Sequence, residues 1–326
     1  MSHDIQIRNF RSEDLPALVD LINQADAVDG LERATTPEEM DRELSWPNYQ
    51  ADTDCFLAWA GGRLVGYADF FLRNNGNSRY PSIFYSEGVV HPRWRRQGLG
   101  RRLMDTLFRR ADARLAEIEQ GPVYFQVGCR QVEPDRRALF QGLGLARVRY
   151  FVNMDRPIDN GLPSVDLPDG FRLRPFDLER DAETVWRVDT EAFQDHWGYT
   201  GFPLEEFLHW LEQPNFRPEL CVLAEEEGGG QVVGIGLNKI DPKWIAKTGR
   251  QEGYINTLAV LRPYRGRGLG TALLAQSLRT LRQAGMSAAH LTSDAENLTG
   301  AMRIYQGVGF APRKTFIVYR KTMRSA

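Results

Sequence analysis

Arg95, Gly98 and Gly100 stand in the order Arg-x-x-Gly-x-Gly, and the order returns at Arg265, Gly268 and Gly270. Each stretch leaves a short apolar run, passes a basic turn and enters an apolar helix. A turn that opens straight into a helix leaves the first backbone N–H groups without intrahelical partners. Their partial charge adds to the helix dipole, so the site draws an anion. Glycine lets phosphate oxygens approach the backbone with no Cβ in the way. Arg95, Arg96, Arg265 and Arg267 add full charges at the same turn. The chemistry on offer is phosphate binding. No Lys-Ser/Thr follows the last glycine, and the spacing is not Gly-x-Gly-x-x-Gly. One such turn alone would read as punctuation between a strand and a helix; two in the same setting do not.

The elements that must position these turns are themselves repeated. Ile5-Gln6-Ile7-Arg8 alternates as a strand does, and Ser12-Glu13-Asp14 then caps a helix carrying Leu15, Leu18, Leu21 and Ile22 on one face. Phe171-Arg172-Leu173-Arg174 repeats the strand, before a helix with Val185, Trp186 and Val188. Arg8 and Arg174 lie 166 positions apart, and Gly98 and Gly268 lie 170 apart. Near-equal offsets at both ends of the unit mark a duplicated domain. A strand meander precedes each loop: 55–60, 64–72 and 82–90 in the first copy, with a Gly61-Gly62 turn, and 220–225, 232–240 and 253–260 in the second. Another strand follows each loop helix, at 123–127 and 288–292. The expected class is an α+β sandwich, in which each copy has a mixed central sheet flanked by helices. The expected domains are 1–155 and 169–326, joined by a Pro- and Gly-rich linker over 156–168.

The two loop stretches resemble the acyl-CoA pyrophosphate loop of the GNAT superfamily of N-acetyltransferases, in its tandem two-domain form, and the likeness covers nearly the whole chain. It implies acetyl-CoA as cofactor. Arg265, Gly266, Arg267, Gly268, Leu269, Gly270 and Thr271 would hold it in the second copy, and Arg95, Arg96, Gln97, Gly98, Leu99 and Gly100 form the matching turn of the first. It also implies a backbone N–H facing the thioester oxygen where two strands separate, at Leu258, Ala259 and Val260 in one copy and Gly88-Val89-Val90 in the other.

By position, Asn297 matches the family's pantetheine contact and Tyr305 its general acid. A phenol near pKa 10 can protonate a thiolate of ~8.5 while staying protonated at neutral pH. The Gln306-Gly307 of the second copy aligns with Gln141-Gly142, which puts Phe140 at the tyrosine position. Phenylalanine has no proton to give, so the resemblance points to one active centre, in the second half. Glu252, on the strand before the loop, is the candidate base. A tandem member of the family carries a glutamate on this strand, but register from the loop arginine puts that position at Tyr254. Asp195, His196 and Trp197, after the second copy's first helix, bring acid, imidazole and indole together as candidate acceptor-binding residues.

Composition narrows the partners. The 326 residues have a formal net charge of −2, so bulk charge suggests neither a nucleic-acid nor a membrane partner. Three cysteines without metal-like spacing read as reduced structural thiols, and no metal site is expected. No leader-like segment and no run of 18 apolar residues is present, so a cytoplasmic monomer or homodimer is expected. The expected activity is acetyl transfer to a primary amine of a small molecule, by direct attack. The rival readings are a protein or peptide N-acetyltransferase and an acyl-CoA-binding regulatory protein without turnover.

Overall fold

The computed structural model describes residues 4–31, 35–47, 49–74, 76, 80–158, 161–162, 164, 166–213, 215–296 and 300–325. The chain divides into two compact units: Met1–Val148 with Ile317–Ala326, and Arg149–Phe316.

In the first unit β1 (Ile5–Asn9) leads through α1 (Leu15–Val28), α2 (Pro37–Leu44) and α3 (Ala51–Asp54) to a meander of β2 (Cys55–Ala60), β3 (Arg63–Arg73) and β4 (Ser82–Val90). Then follow α4 (Leu99–Arg114), β5 (Val123–Arg130) and α5 (Pro134–Gly142). Strands β1 to β4 pair antiparallel, and β5 joins β4 in parallel. Gly61 and Gly62 turn β2 into β3 with φ of 55° and 77°. Two left-handed residues match the natural twist of the flanking strands. Leu18, Leu21 and Ile22 recur at helical spacing on α1 and pack in one core with Leu57, Tyr67 and Val89.

The second unit begins within β6 (Ala146–Pro157) and continues with β7 (Phe171–Pro175), α6 (Leu178–Phe193), α7 (Leu204–Leu211), β8 (Val222–Glu226) and β9 (Val232–Ile240). It goes on through α8 (Pro242–Thr248), β10 (Glu252–Val260), α9 (Leu269–Gln283), β11 (Ala288–Asp294), α10 (Ala301–Gly307) and the start of β12 (Ala311–Arg324). Strands β7 to β10 pair antiparallel, β11 lies parallel to β10, and β6 pairs antiparallel with β11. The duplication shows in one shared ion pair. Arg8 of β1 grips Asp14 at 2.6 and 2.7 Å, and Arg174 of β7 grips Asp181 at 2.6 and 3.0 Å. These guanidinium contacts hold both carboxyls below the usual carboxylate range, against the opposing effect of burial.

The units do not follow the expected boundary. The expected first domain extends to residue 155, but β6 runs to Pro157 and pairs with β11, so its residues from Arg149 onward belong to the second unit. The last residues of the chain, from Ile317, belong to the first. Apolar alternation specifies a half-buried strand but not which sheet edge it joins. Tertiary packing decides: Met154, fully buried, shares a core with Leu291 and Tyr305, while Tyr319, also fully buried, lies 5.5 Å from the Phe140 ring. All three cysteines are buried and unpaired. Among the described residues no helix is long and apolar enough to cross a membrane.

Candidate active site

In the second unit β10 and β11 are paired only over Glu252–Tyr254 and Ala288–His290; beyond this the two strands part. On its other side β10 slips register against β9 between Ile255 and Thr257, so Asn256 bulges. Among the described residues, the β11-facing edge of β10 past Tyr254 thus has no β11 partner, and its backbone N–H and C=O groups can bond a guest. A cavity of about 280 Å³ opens there. Its walls include Asn256, Leu258, Ala259 and Val260 of β10, Arg265, Gly266, Leu269 and Gly270 of the loop, Thr292 and Asp294 of β11, and Ile304 and Tyr305 of α10.

The loop enters α9 through Gly266 and Gly268, at φ 75° and 89°. Gly268 is the N-cap of α9 and no side chain caps the helix, which leaves its first N–H groups open. A Cβ on Gly270 would come no closer than 3.7 Å to Ile304, so that glycine is not demanded by steric contact within the protein. Arg265 lines the cavity, and two of its nitrogens donate within the protein. Its Nε donates to the Val260 carbonyl at 2.9 Å and its Nη2 to the Ala192 carbonyl at 2.8 Å. It braces the end of β10 against the C-terminus of α6, where carbonyls lack helical partners. Arg267 is exposed, with its guanidinium 5.5 Å from the Tyr264 ring; Arg267, Gly268 and Thr271 stand outside the cavity wall.

Tyr305 is 9% exposed and packs edge-on at 6.2 Å from Phe310. Burial, with Tyr254 adding, pushes its phenol up to about 12. The Tyr254 hydroxyl donates to Thr292 Oγ1 at 3.2 Å, and Thr292 donates to Asn153 Oδ1 at 2.9 Å. Of the three candidate acceptor residues, His196 alone lines the cavity. Asp195 pairs with Arg262 at 3.1 Å on the surface. Trp197 lies under the Arg149 guanidinium at 5.5 Å, and Arg149 in turn clamps Asp294, Nε to Oδ1 and Nη2 to Oδ2, both at 2.9 Å. Trp197 itself does not line the cavity.

Glu252 is placed differently from the expectation. It lies outside the cavity wall, 3.3 Å from Arg250, 3.6 Å from Arg313 and 3.9 Å from His290. Two arginines at that strand start draw the carboxylate to themselves, which sequence spacing does not reveal. Asn297 lies outside the described residues. Sequence reasoning missed Asp294, Asn256 and Arg149. Nothing in β10, where Asn256 is followed by a second polar residue, Thr257, marked the bulge; the Arg149 contact depends on β6 joining this unit and left no signal either.

The first unit repeats this frame with changes. Its loop is braced likewise, Arg95 donating to the Val90 carbonyl at 3.0 Å and to Asp29 at 2.6 and 2.8 Å. Strands β4 and β5 part after Ser86 and Val127, but β3 and β4 stay in unbroken register, without a bulge. A larger cavity, about 730 Å³, is lined by Val90, Arg95, Arg96, Gly98 and Gly100 among others. Gln97 turns back to the Arg93 carbonyl at 2.9 Å and Leu99 is buried, so neither lines it. Arg136 donates to the Gly88 carbonyl at 2.6 Å, inside the parted strands. Buried Phe140 lines the cavity where the second unit has Tyr305.

Two mixed-sheet units, each parting its strands in front of an uncapped, glycine-led helix, define a tandem acyl-CoA-dependent acyltransferase fold. The chain matches the Acetyltransferase (GNAT) family over residues 19–121 and 182–310, and it belongs to that family. It is 32% identical to a protein named mycothiol acetyltransferase from Thermobispora bispora, over 81% of this chain and 82% of the relative. A GCN5-related N-acetyltransferase from Sphaerobacter thermophilus superposes with a TM-score of 0.75 at 26% identity, over 99% of this chain and 96% of that one. A tandem GNAT protein from the clavulanic acid biosynthesis pathway shares the fold, with a TM-score of 0.69 at 17% identity over 99% of this chain and all of that one. The chain is thus an acetyl-CoA-dependent acyltransferase of GNAT type.

Proposed function

We propose that the second unit transfers the acetyl group of acetyl-CoA to a primary amine of a small molecule by direct attack, and that the first unit has lost this chemistry. One observation carries the reading: Tyr305, the β10 bulge and the open helix N-terminus share one cavity, whereas the first unit has Phe140 and no bulge on β4. The fit to acetyl-CoA rests on the uncapped N–H groups at Gly268 and on the unpaired edge of β10. Both are donor-rich surfaces suited to a diphosphate and an amide-bearing arm. Acetyl-CoA supplies an acyl group activated as a thioester.

The residues divide the work. The Gly266–Gly270 turn holds the diphosphate, and the backbone of Leu258, Ala259 and Val260 aligns the arm. N–H groups freed by the parting of β10 from β11 stabilise charge developing on the thioester oxygen. Tyr305 donates its proton to the departing sulfur. Against a thiolate of ~8.5 a phenol near 12 looks too weak an acid, the gap amounting to roughly 5 kcal/mol. The sulfur, however, develops its charge in the same poorly solvated cavity, which raises its basicity too and narrows the gap. The name of the Thermobispora bispora relative makes the unacetylated form of mycothiol the first acceptor to try. Tyr254 stands at the strand position where a tandem member of the family carries a glutamate, and this departure argues for testing other amines beside it.

Release of free thiol from acetyl-CoA with a panel of amines tests the activity. Tyr305→Phe is expected to lower kcat about 10²-fold or more and to leave CoA affinity nearly unchanged. Parent-like turnover in that variant contradicts the acid assignment. Cofactor binding without thiol release from any amine contradicts the enzyme reading and favours a binding protein.

A further inference from the structure

We propose that His196 is the base that takes the proton from the acceptor's ammonium group. The inference rests on the acetyl-transfer reading above. Among the described residues lining the second cavity, His196 and Asp294 are the imidazole and the carboxylate, the side chains of the kind that serve as general bases. Asp294 is occupied: Arg149 holds both of its oxygens, and Oδ1 also takes the Glu296 N–H at 3.0 Å. A proton arriving there would break that ion pair. His196 has no such commitment. Its ring packs at 4.4 Å from Phe193, and among the described residues its nitrogens make no side-chain hydrogen bond.

The position of His196 is fixed by the phosphate turn itself. Its N–H closes onto the Phe193 carbonyl at 2.8 Å, just past α6, and Arg265 pins the same helix end through the Ala192 carbonyl. Charged groups face the imidazole from three sides: Arg265 on the loop, Asp294 on β11 and Asp195 beside it. Burial and Arg265 outweigh the two carboxylates and hold the imidazole below its ordinary range. It is therefore neutral, and able to accept a proton, at physiological pH.

The protons balance as follows. His196 takes one proton from R–NH₃⁺ and passes it to solvent. The freed lone pair forms the N–C bond to the acyl carbon, and the C–S bond breaks with its pair on sulfur. Sulfur takes the Tyr305 proton, and the second proton lost by nitrogen as the amide forms restores the tyrosine.

The test combines kinetics with a direct titration. With a thiol-releasing amine, wild-type kcat/KM is expected to hold its plateau to below pH ~6.5, the ordinary imidazole value. His196→Gln should lose about 10²-fold at pH 7, then recover about tenfold per pH unit as free amine replaces the ammonium. CoA affinity by calorimetry should stay unchanged. In the free wild-type protein, the His196 ring resonances should titrate below the ordinary imidazole value. An unchanged kcat/KM in His196→Gln, or a loss uniform at every pH, would overturn the proposal; so would a ring that titrates at or above the ordinary value. If wild type releases no thiol with any amine, the acetyl-transfer reading fails first and takes this inference with it.

Discussion

Arg96 has φ 62°, the only positive φ outside glycine among the described residues. Its counterpart in the second loop is Gly266, at φ 75°. A side chain in this left-handed region costs about 1–2 kcal/mol. Arg96 regains little of that from Asp135 at 3.0 Å, because both partners are largely exposed and such pairs contribute at most about 1 kcal/mol. Arg96→Gly should therefore raise the thermal midpoint of the first unit by about 2–4 °C, read by scanning calorimetry; a fall would show that the ion pair outweighs the strain. At this scale the glycines of both loops, Tyr305 and its replacement by Phe140 were legible, because each is a local choice of residue type. The bracing by Arg95 and Arg265 was not, because its partners Asp29 and Ala192 lie far along the chain.

Strands and helices were legible where periodicity and turn chemistry agreed, as in β2, the Gly61-Gly62 turn and β3. Their allegiance was not. The segment from Ile317 carries three buried side chains into the first unit: Ile317, Val318 and Tyr319. Removing a large buried apolar side chain commonly costs about 2–5 kcal/mol, and a whole domain is stable by only about 5–15 kcal/mol. Three together, at about 6–15 kcal/mol, are comparable with the whole of that stability. A chain ending at Phe316 should fail to show a cooperative thermal transition for the first unit and should be cleaved there by protease. A truncated chain with the parent's unfolding profile would contradict the assignment of this strand.

Across the whole molecule, one kind of unit occurs twice, and the copies keep the frame while differing at the cavity, Phe140 against Tyr305. The shared Arg–Asp ion pair, the braced loop and the parted strands persist in both units. The larger cavity belongs to the first unit, yet the proposed reading puts acetyl transfer in the second. That reading follows Tyr305 and the bulge on β10, whose counterparts in the first unit are Phe140 and a β4 in unbroken register with β3. The repeat offsets and the Tyr-to-Phe difference were readable from sequence; the bulge, which depends on how β9 and β10 settle against each other, was not. The most direct measurement is a crystal structure with a non-reactive acetyl-CoA analogue and a count of its sites. The account predicts the diphosphate on the N–H groups of Gly266–Gly270 and the sulfur-equivalent atom within about 3.5 Å of the Tyr305 hydroxyl, directly or through one water. An analogue that leaves this turn empty, or whose arm ends away from Tyr305, would contradict it.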